Sequence, residues 1–171
     1  MTDQDKYWVG FDLGGTKMLA CVFDDALAKL SSRRRKTDGS AGQEAGLARI
    51  IKTILQALEA AEKTPQNLAG IGIGCPSPVD MERGILLDAV NIGWENVPIQ
   101  AELEREFDCP VAVLNDVDAG VFGENKFGAA RGAQTVLGVF PGTGIGGGCV
   151  YRGQIVHGKH SSCMEIGHVR V

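Results

Sequence analysis

Asp12-Leu13-Gly14-Gly15-Thr16-Lys17 follows an apolar run that starts at Tyr7, and what comes after Lys17 decides the fold. A Walker loop would read G-x-x-x-x-G-K-[ST], which is absent, and a Rossmann G-x-G-x-x-G opens a helix. Lys17 instead leads into Met18-Leu19-Ala20-Cys21-Val22-Phe23, which reads as a second strand. Strand, Gly-Gly-Thr turn, strand is a hairpin. Far down the chain Pro141-Gly142-Thr143-Gly144-Ile145-Gly146-Gly147-Gly148 repeats the arrangement after the strand-like run Thr135–Phe140. Glycine reaches φ > 0 without steric cost, so successive N–H groups can converge on an anion, and Thr16 and Thr143 add hydroxyl donors. Two such hairpins point to a nucleotide held by its phosphates. The plainer alternative for the first is a tight turn beside an ordinary acidic residue. For the second it is a glycine-rich connector, although five glycines in seven residues between two strands expected to be buried are more than a connector needs.

Composition narrows the class. A 171-residue chain that is 44% hydrophobic and 22% charged can bury a real core. Glycine accounts for 24 residues, about twice the usual ~7%, and the excess sits in the two turns and at Gly70, Gly72 and Gly74. A net charge of −4 argues against a nucleic-acid partner. Arg33-Arg34-Arg35-Lys36 is too short to reverse that and reads as a solvated strand edge. The five cysteines, Cys21, Cys75, Cys109, Cys149 and Cys163, show no C-x-x-C spacing and read as small buried side chains in a reducing compartment. No apolar run is long enough to span a membrane and the N-terminus does not resemble a signal peptide, so a cytoplasmic protein is expected.

Along the chain, Tyr7–Leu13, Met18–Phe23 and Leu27–Lys36 form a three-strand meander. Ser40-Ala41-Gly42-Gln43 has the form of a capping box, and Leu47, Ile50, Ile51, Ile54, Leu55 and Leu58 recur at helical spacing up to Lys63-Thr64-Pro65. Leu68–Gly74 reads as a buried strand that ends in the stiff loop Cys75-Pro76-Ser77-Pro78. A glycine-punctuated segment from Ile85 to Trp94 precedes a short helix over Ile99–Phe107. Val111–Leu114 is a buried strand that delivers Asn115-Asp116 to its carboxyl end, and a helix runs from Val117 to Phe127. Strands resume at Thr135, continue through Gly148–Tyr151, and turn at Arg152-Gly153 into Gln154–His157. The order βββαβαβα followed by strands around a second Gly-Thr turn is that of an α/β, actin-like or ribonuclease-H-like domain and the start of its duplicate. The lobes are expected at 1–117 and 118–171.

Six motifs taken in order carry a resemblance. They are Asp12-Leu13-Gly14-Gly15-Thr16-Lys17, Gly72-Ile73-Gly74-Cys75-Pro76-Ser77-Pro78-Val79-Asp80, Asn91-Ile92-Gly93-Trp94, Asn115-Asp116, Gly142-Thr143-Gly144-Ile145-Gly146-Gly147-Gly148 and Glu165-Ile166-Gly167-His168. Together they resemble the ROK family of bacterial sugar kinases and sugar-responsive repressors, from Val9 to the end of the chain. The resemblance implies an ATP-dependent kinase that moves the γ-phosphate to the 6-hydroxyl of a hexose, glucose first among the candidates. It places Asp12, Gly14, Gly15, Thr16, Lys17, Gly142, Thr143 and Gly144 on ATP, with Asp12 steering Mg²⁺ through water. Asn91, Asn115, Asp116, Glu165 and His168 would contact the sugar. Asp116 would be the catalytic base, as suits phosphoryl transfer to an alcohol. Read without the family, Asp116 is equally an N-cap for the helix it precedes, and His168 a core imidazole.

There are departures from the family pattern. Ser161, Cys163 and Met164 stand where glycine, alanine and glycine are usual, which makes the sugar-pocket wall bulkier, and Asp118 stands where asparagine is common. Family members run to roughly twice this length. Their zinc motif and adenine wall lie past Val171, so a zinc site is not expected here, and the 171-residue chain alone is expected to show little kinase activity. The partners implied are a hexose and ATP, with neither nucleic acid nor membrane, and a homodimer is compatible with the resemblance. Two other functions compete: a sugar-binding regulator, whose mark would be a helix-turn-helix ahead of Asp12, and a non-catalytic lobe that binds sugar or phosphate without turnover.

Overall fold

The computed structural model describes residues 6–142, 144–158 and 164–170. Among these, two compact units divide the chain, Met1–Leu114 and Asn115–Val171.

The first unit is built on strict alternation. In β1 (Tyr7–Leu13) the side chains of Tyr7, Val9, Phe11 and Leu13 are buried while Trp8 and Asp12 face outward. β2 (Lys17–Asp24) buries Met18, Ala20 and Val22, and the basic β3 (Lys29–Lys36) lies at the sheet edge, as its charge requires. β2 runs antiparallel to both neighbours, with Asp12 opposite Leu19 and Leu19 opposite Arg34. β4 (Leu68–Cys75) lies parallel to β1, with Asp12 opposite Gly74. β8 (Val111–Asn115) completes the order β3-β2-β1-β4-β8. The buried stripe Ile50, Ile54, Ala57 and Leu58 of α1 (Gln43–Ala60) belongs to the same core as the sheet.

The capping box does not form. Ser40 is taken up in a one-turn 3₁₀ helix over Gly39–Ala41, and the N-cap of α1 is Gly42, at φ 89° with no side-chain cap bond. The turn begins at Asp38, itself left-handed at φ 53°, and a chain bent twice in so few residues cannot present a serine at the helix entry.

The segment from Ile85 to Trp94 is more ordered than its glycines imply. Three short strands, β5 (Val79–Asp80), β6 (Ile85–Ala89) and β7 (Trp94–Val97), pair antiparallel in a second small sheet. Leu86, Ala89, Trp94 and Val97 are all buried. The Trp94 ring lies directly over Gly46 of α1, where an added Cβ would come within 1.7 Å of the indole. α2 (Ile99–Phe107) follows and buries Ile99, Leu103 and Phe107.

The second unit packs α3 (Asp116–Phe127) on a three-stranded antiparallel sheet of order β11-β10-β9, formed by Gln154–Ile155, Ile145–Tyr151 and Thr135–Pro141. The strands beside the second glycine turn are not the buried pair expected. Leu137, Val139 and Ile145 are more than half exposed. Only the face carrying Gly138, Gly146 and Gly148 meets Val117 and Val121 of α3. Cys75 and Cys109 are buried as expected, whereas Cys21 and Cys149 are partly accessible, and Cys163 lies outside the described residues.

Candidate active site

The first glycine turn is the β1–β2 hairpin, closed by a bond from the Gly14 N–H to the Lys17 carbonyl at 3.0 Å. Its glycines are not there for left-handed backbone, because neither Gly14 nor Gly15 has a positive φ. Space is the reason at Gly14, where a Cβ would lie 2.7 Å from the Lys17 carbonyl oxygen. Gly15 faces Asn91, whose Cβ would be 3.5 Å from a Cβ at position 15. Asp12, Gly14, Gly15, Thr16, Lys17 and Asn91 are thus gathered at one end of the first unit.

Asp12 and Arg34 share one face of the sheet through the register Asp12, Leu19, Arg34. Surrounding protein desolvates the Asp12 carboxylate and raises its pKa, and Arg34 partly offsets this. An outward-facing, half-desolvated carboxylate at the mouth of the hairpin can hold a cation through water. The surface groove lined by Lys6, Tyr7, Asp24, Leu30 and Lys63 lies at the opposite end of β1 and holds none of these residues.

At the end of the first unit β8 runs directly into α3, the first helix of the second. Asn115, not Asp116, is the N-cap: its Oδ1 accepts from the backbone N–H groups of Val117 at 2.9 Å and Asp118 at 3.2 Å. Asp116 Oδ1 also accepts from the Val117 N–H at 2.8 Å. The cap holds Asp116 at the first helical position, a fixed place for a carboxylate. Asp118 is half-buried. Desolvation raises its pKa most, Asp116 and Glu165 raise it further, and His157 lowers it, so these four groups share one electrostatic environment.

The second turn is tight, with the Gly142 N–H donating to the Gly144 carbonyl at 2.7 Å. Its five glycines have two uses. A Cβ on Gly144 would meet nothing within 4 Å, and one on Gly142 only the Gly144 carbonyl oxygen at 4.0 Å, so both face open space. Gly146 and Gly148 make room for Val117 and Val121, and Gly147 for the Met164 carbonyl. Thr143, Ser161 and Cys163 lie outside the described residues.

Glu165 precedes a one-turn 3₁₀ helix over Ile166–His168, and the His168 N–H donates to its carbonyl at 3.0 Å. This turn abuts β10, since a Cβ on Gly167 would come within 2.4 Å of the Ile145 carbonyl oxygen. Glu165 and His168 are exposed, not buried as a closed sugar pocket would have them. No cluster of three or more metal-ligating side chains occurs among the described residues. Among those residues, too, no helix is long and apolar enough to cross a membrane.

One residue of importance escaped the sequence reading. Thr37, fully buried just after β3, bonds to the first hairpin twice. Its only signal in sequence is a small hydroxyl residue where a basic edge strand meets Asp38-Gly39.

A five-stranded sheet of this order, followed by a helix and a second glycine hairpin, defines the actin-like kinase fold. The chain belongs to the ROK family, whose family model matches residues 8–171. It is 36% identical over 170 residues to the glucokinase of Halalkalibacterium halodurans, a match covering 98% of this chain and 51% of that one. It is also 30% identical over 122 residues to the xylose repressor of Caldicellulosiruptor bescii, covering 71% of this chain and 31% of the repressor. Among solved structures, the ROK glucokinase of Streptomyces griseus in complex with glucose and AMPPNP matches with a TM-score of 0.84 at 33% identity, covering 96% of this chain and 51% of that one. The chain spans about half the length of the glucokinases it matches.

Proposed function

We propose that this chain forms the phosphate-gripping and base-bearing part of an ATP-dependent sugar kinase acting on the 6-hydroxyl of a hexose, glucose foremost. The observation that carries the proposal is Asp116, held at the first turn of α3 by the Asn115 cap at the carboxyl end of β8. Phosphoryl transfer to an alcohol asks little covalent chemistry of a protein: alignment, charge neutralisation and a carboxylate within reach of the attacking hydroxyl.

In this reading Asp116 accepts the proton of the sugar hydroxyl as that oxygen attacks the γ-phosphorus, and ADP leaves. The hairpin Gly14–Lys17 and the open positions Gly142 and Gly144 take the phosphates. Asn91, Asn115, Glu165 and His168 take sugar hydroxyls, and the Asn115 carbonyl oxygen also serves the helix cap. Asp12 fits a magnesium ion held through water, which would neutralise phosphate charge. The protein is expected to work in the cytoplasm.

A coupled ADP-release assay over a hexose panel, run on this chain and on a version extended to the length of the glucokinases it matches, tests the reading. Asp116→Asn keeps shape and hydrogen bonding but removes the base, so turnover falls by about 100-fold or more while sugar affinity stays within a few fold. Near-normal turnover in that variant ends the assignment. The second reading, a sugar-responsive regulator, is favoured by the match to a xylose repressor. Sugar binding by calorimetry with no ADP release from any hexose, in the extended version as well as in this chain, would identify a non-catalytic sugar binder instead of a kinase.

A further inference from the structure

We infer that Thr37 sets the direction of the N–H groups that the first glycine hairpin offers to a phosphate, which makes it a positioning residue for nucleotide binding. The inference rests on reading that hairpin as a phosphate site. The Thr37 hydroxyl donates to the Gly14 carbonyl oxygen at 2.6 Å, and its backbone N–H donates to the Thr16 carbonyl oxygen at 2.9 Å. In a trans peptide unit the C=O and N–H point in opposite directions. With the carbonyls of Gly14 and Thr16 aimed at Thr37, the N–H groups of Gly15 and Lys17 are aimed away from it. One residue therefore orients two peptide planes of the turn so that their donors emerge on the same side.

Backbone of positive φ, the usual way of converging N–H groups on an anion, is not used at Gly14 or Gly15. The Gly14 N–H is occupied by the Lys17 carbonyl. Gly15, Thr16 and Lys17 keep their donors, and Thr37 controls the first and the last of these through different groups. The backbone N–H of residue 37 holds the Thr16–Lys17 plane whatever the side chain. The Gly14–Gly15 plane depends on the hydroxyl. Thr37 is wholly buried, so its hydroxyl cannot find water in place of Gly14.

The test is an amide-resolved titration of the ¹⁵N-labelled 171-residue protein with pyrophosphate and with ATP, as wild type, Thr37→Val and Thr37→Ser. In the wild type the Gly15 and Lys17 resonances move on titration. Thr37→Val weakens binding about 10-fold and diminishes the Gly15 shift while the Lys17 shift persists, and Thr37→Ser restores both. Unaltered affinity and an unaltered Gly15 shift in Thr37→Val overturn this inference alone. A wild-type titration that moves neither amide removes the phosphate reading of the hairpin, and this inference with it. Should Thr37→Val fail to fold, hydrogen exchange in the wild type decides: the Gly15 amide exchanges faster than the bonded Gly14 amide, and equal protection of the two overturns the inference.

Discussion

At position 118 a carboxylate sits among three other ionisable groups, and burial outweighs the attraction of His157. Its pKa is raised in the folded protein, so the fold binds this proton more tightly than the unfolded chain does. The contribution to stability is therefore fully present below the ordinary carboxylate value of 3.8 and is lost as pH rises through the folded pKa. Asp118→Asn should stabilise the protein at neutral pH and lose that advantage as pH falls toward 3.8. A half-exposed group is screened, so the gain in Tm is about 1–3 °C. Thermal melts of both proteins across pH 3 to 8 check this, and equal Tm values at pH 7 refute it. The same residue shows where sequence reading stopped. Asp118 was visible as a departure from the family pattern, but its coupling to His157 and Glu165 depends on how the chain after β11 returns toward α3. Asp116 and Asn115 were legible as a pair, and the structure decided which of them caps the helix.

At the scale of elements, α1 shows a local preference defeated by a contact. Gly46 lies inside the helix, where alanine would gain about 1 kcal/mol in propensity. A Cβ there would lie 1.7 Å from the Trp94 ring, and overpacking of a fully buried aromatic costs about 1–3 kcal/mol or more. The contact wins, so Gly46→Ala should lower stability by about 1–2 kcal/mol net, read from urea unfolding. A variant as stable as the parent would mean that the β5-β6-β7 sheet does not seat on α1 as described. The second glycine turn teaches the same lesson. Its glycines looked alike in sequence, yet Gly146, Gly147 and Gly148 answer to the packing of α3 and the Met164 carbonyl, and only Gly142 and Gly144 face open space.

At the scale of the whole molecule, the second unit leaves apolar surface uncovered. Strand alternation puts Leu137, Val139 and Ile145 on the face of β9 and β10 that points away from Val117 and Val121, and all three are more than half exposed. A contiguous patch of this kind favours association. Leu137→Ser combined with Val139→Ser should reduce anilinonaphthalene sulfonate fluorescence and self-association of the 171-residue protein, while stability changes by less than about 1 kcal/mol. Unchanged dye binding and sedimentation would show that the patch is not what drives association. The amino-acid sequence alone determined the two hairpins, the meander, the helices α1 and α2, the strand that ends at Asn115 and the family, because period-2 and period-3.6 patterning and turn chemistry act over a few neighbouring residues. Only the tertiary structure decided that Thr37 takes the carbonyls of the first hairpin, that Gly46 yields to Trp94, and that β9 is exposed. Each of these turns on atoms distant in sequence brought within a few ångströms by sheet register and packing, and no local window of residues encodes that distance.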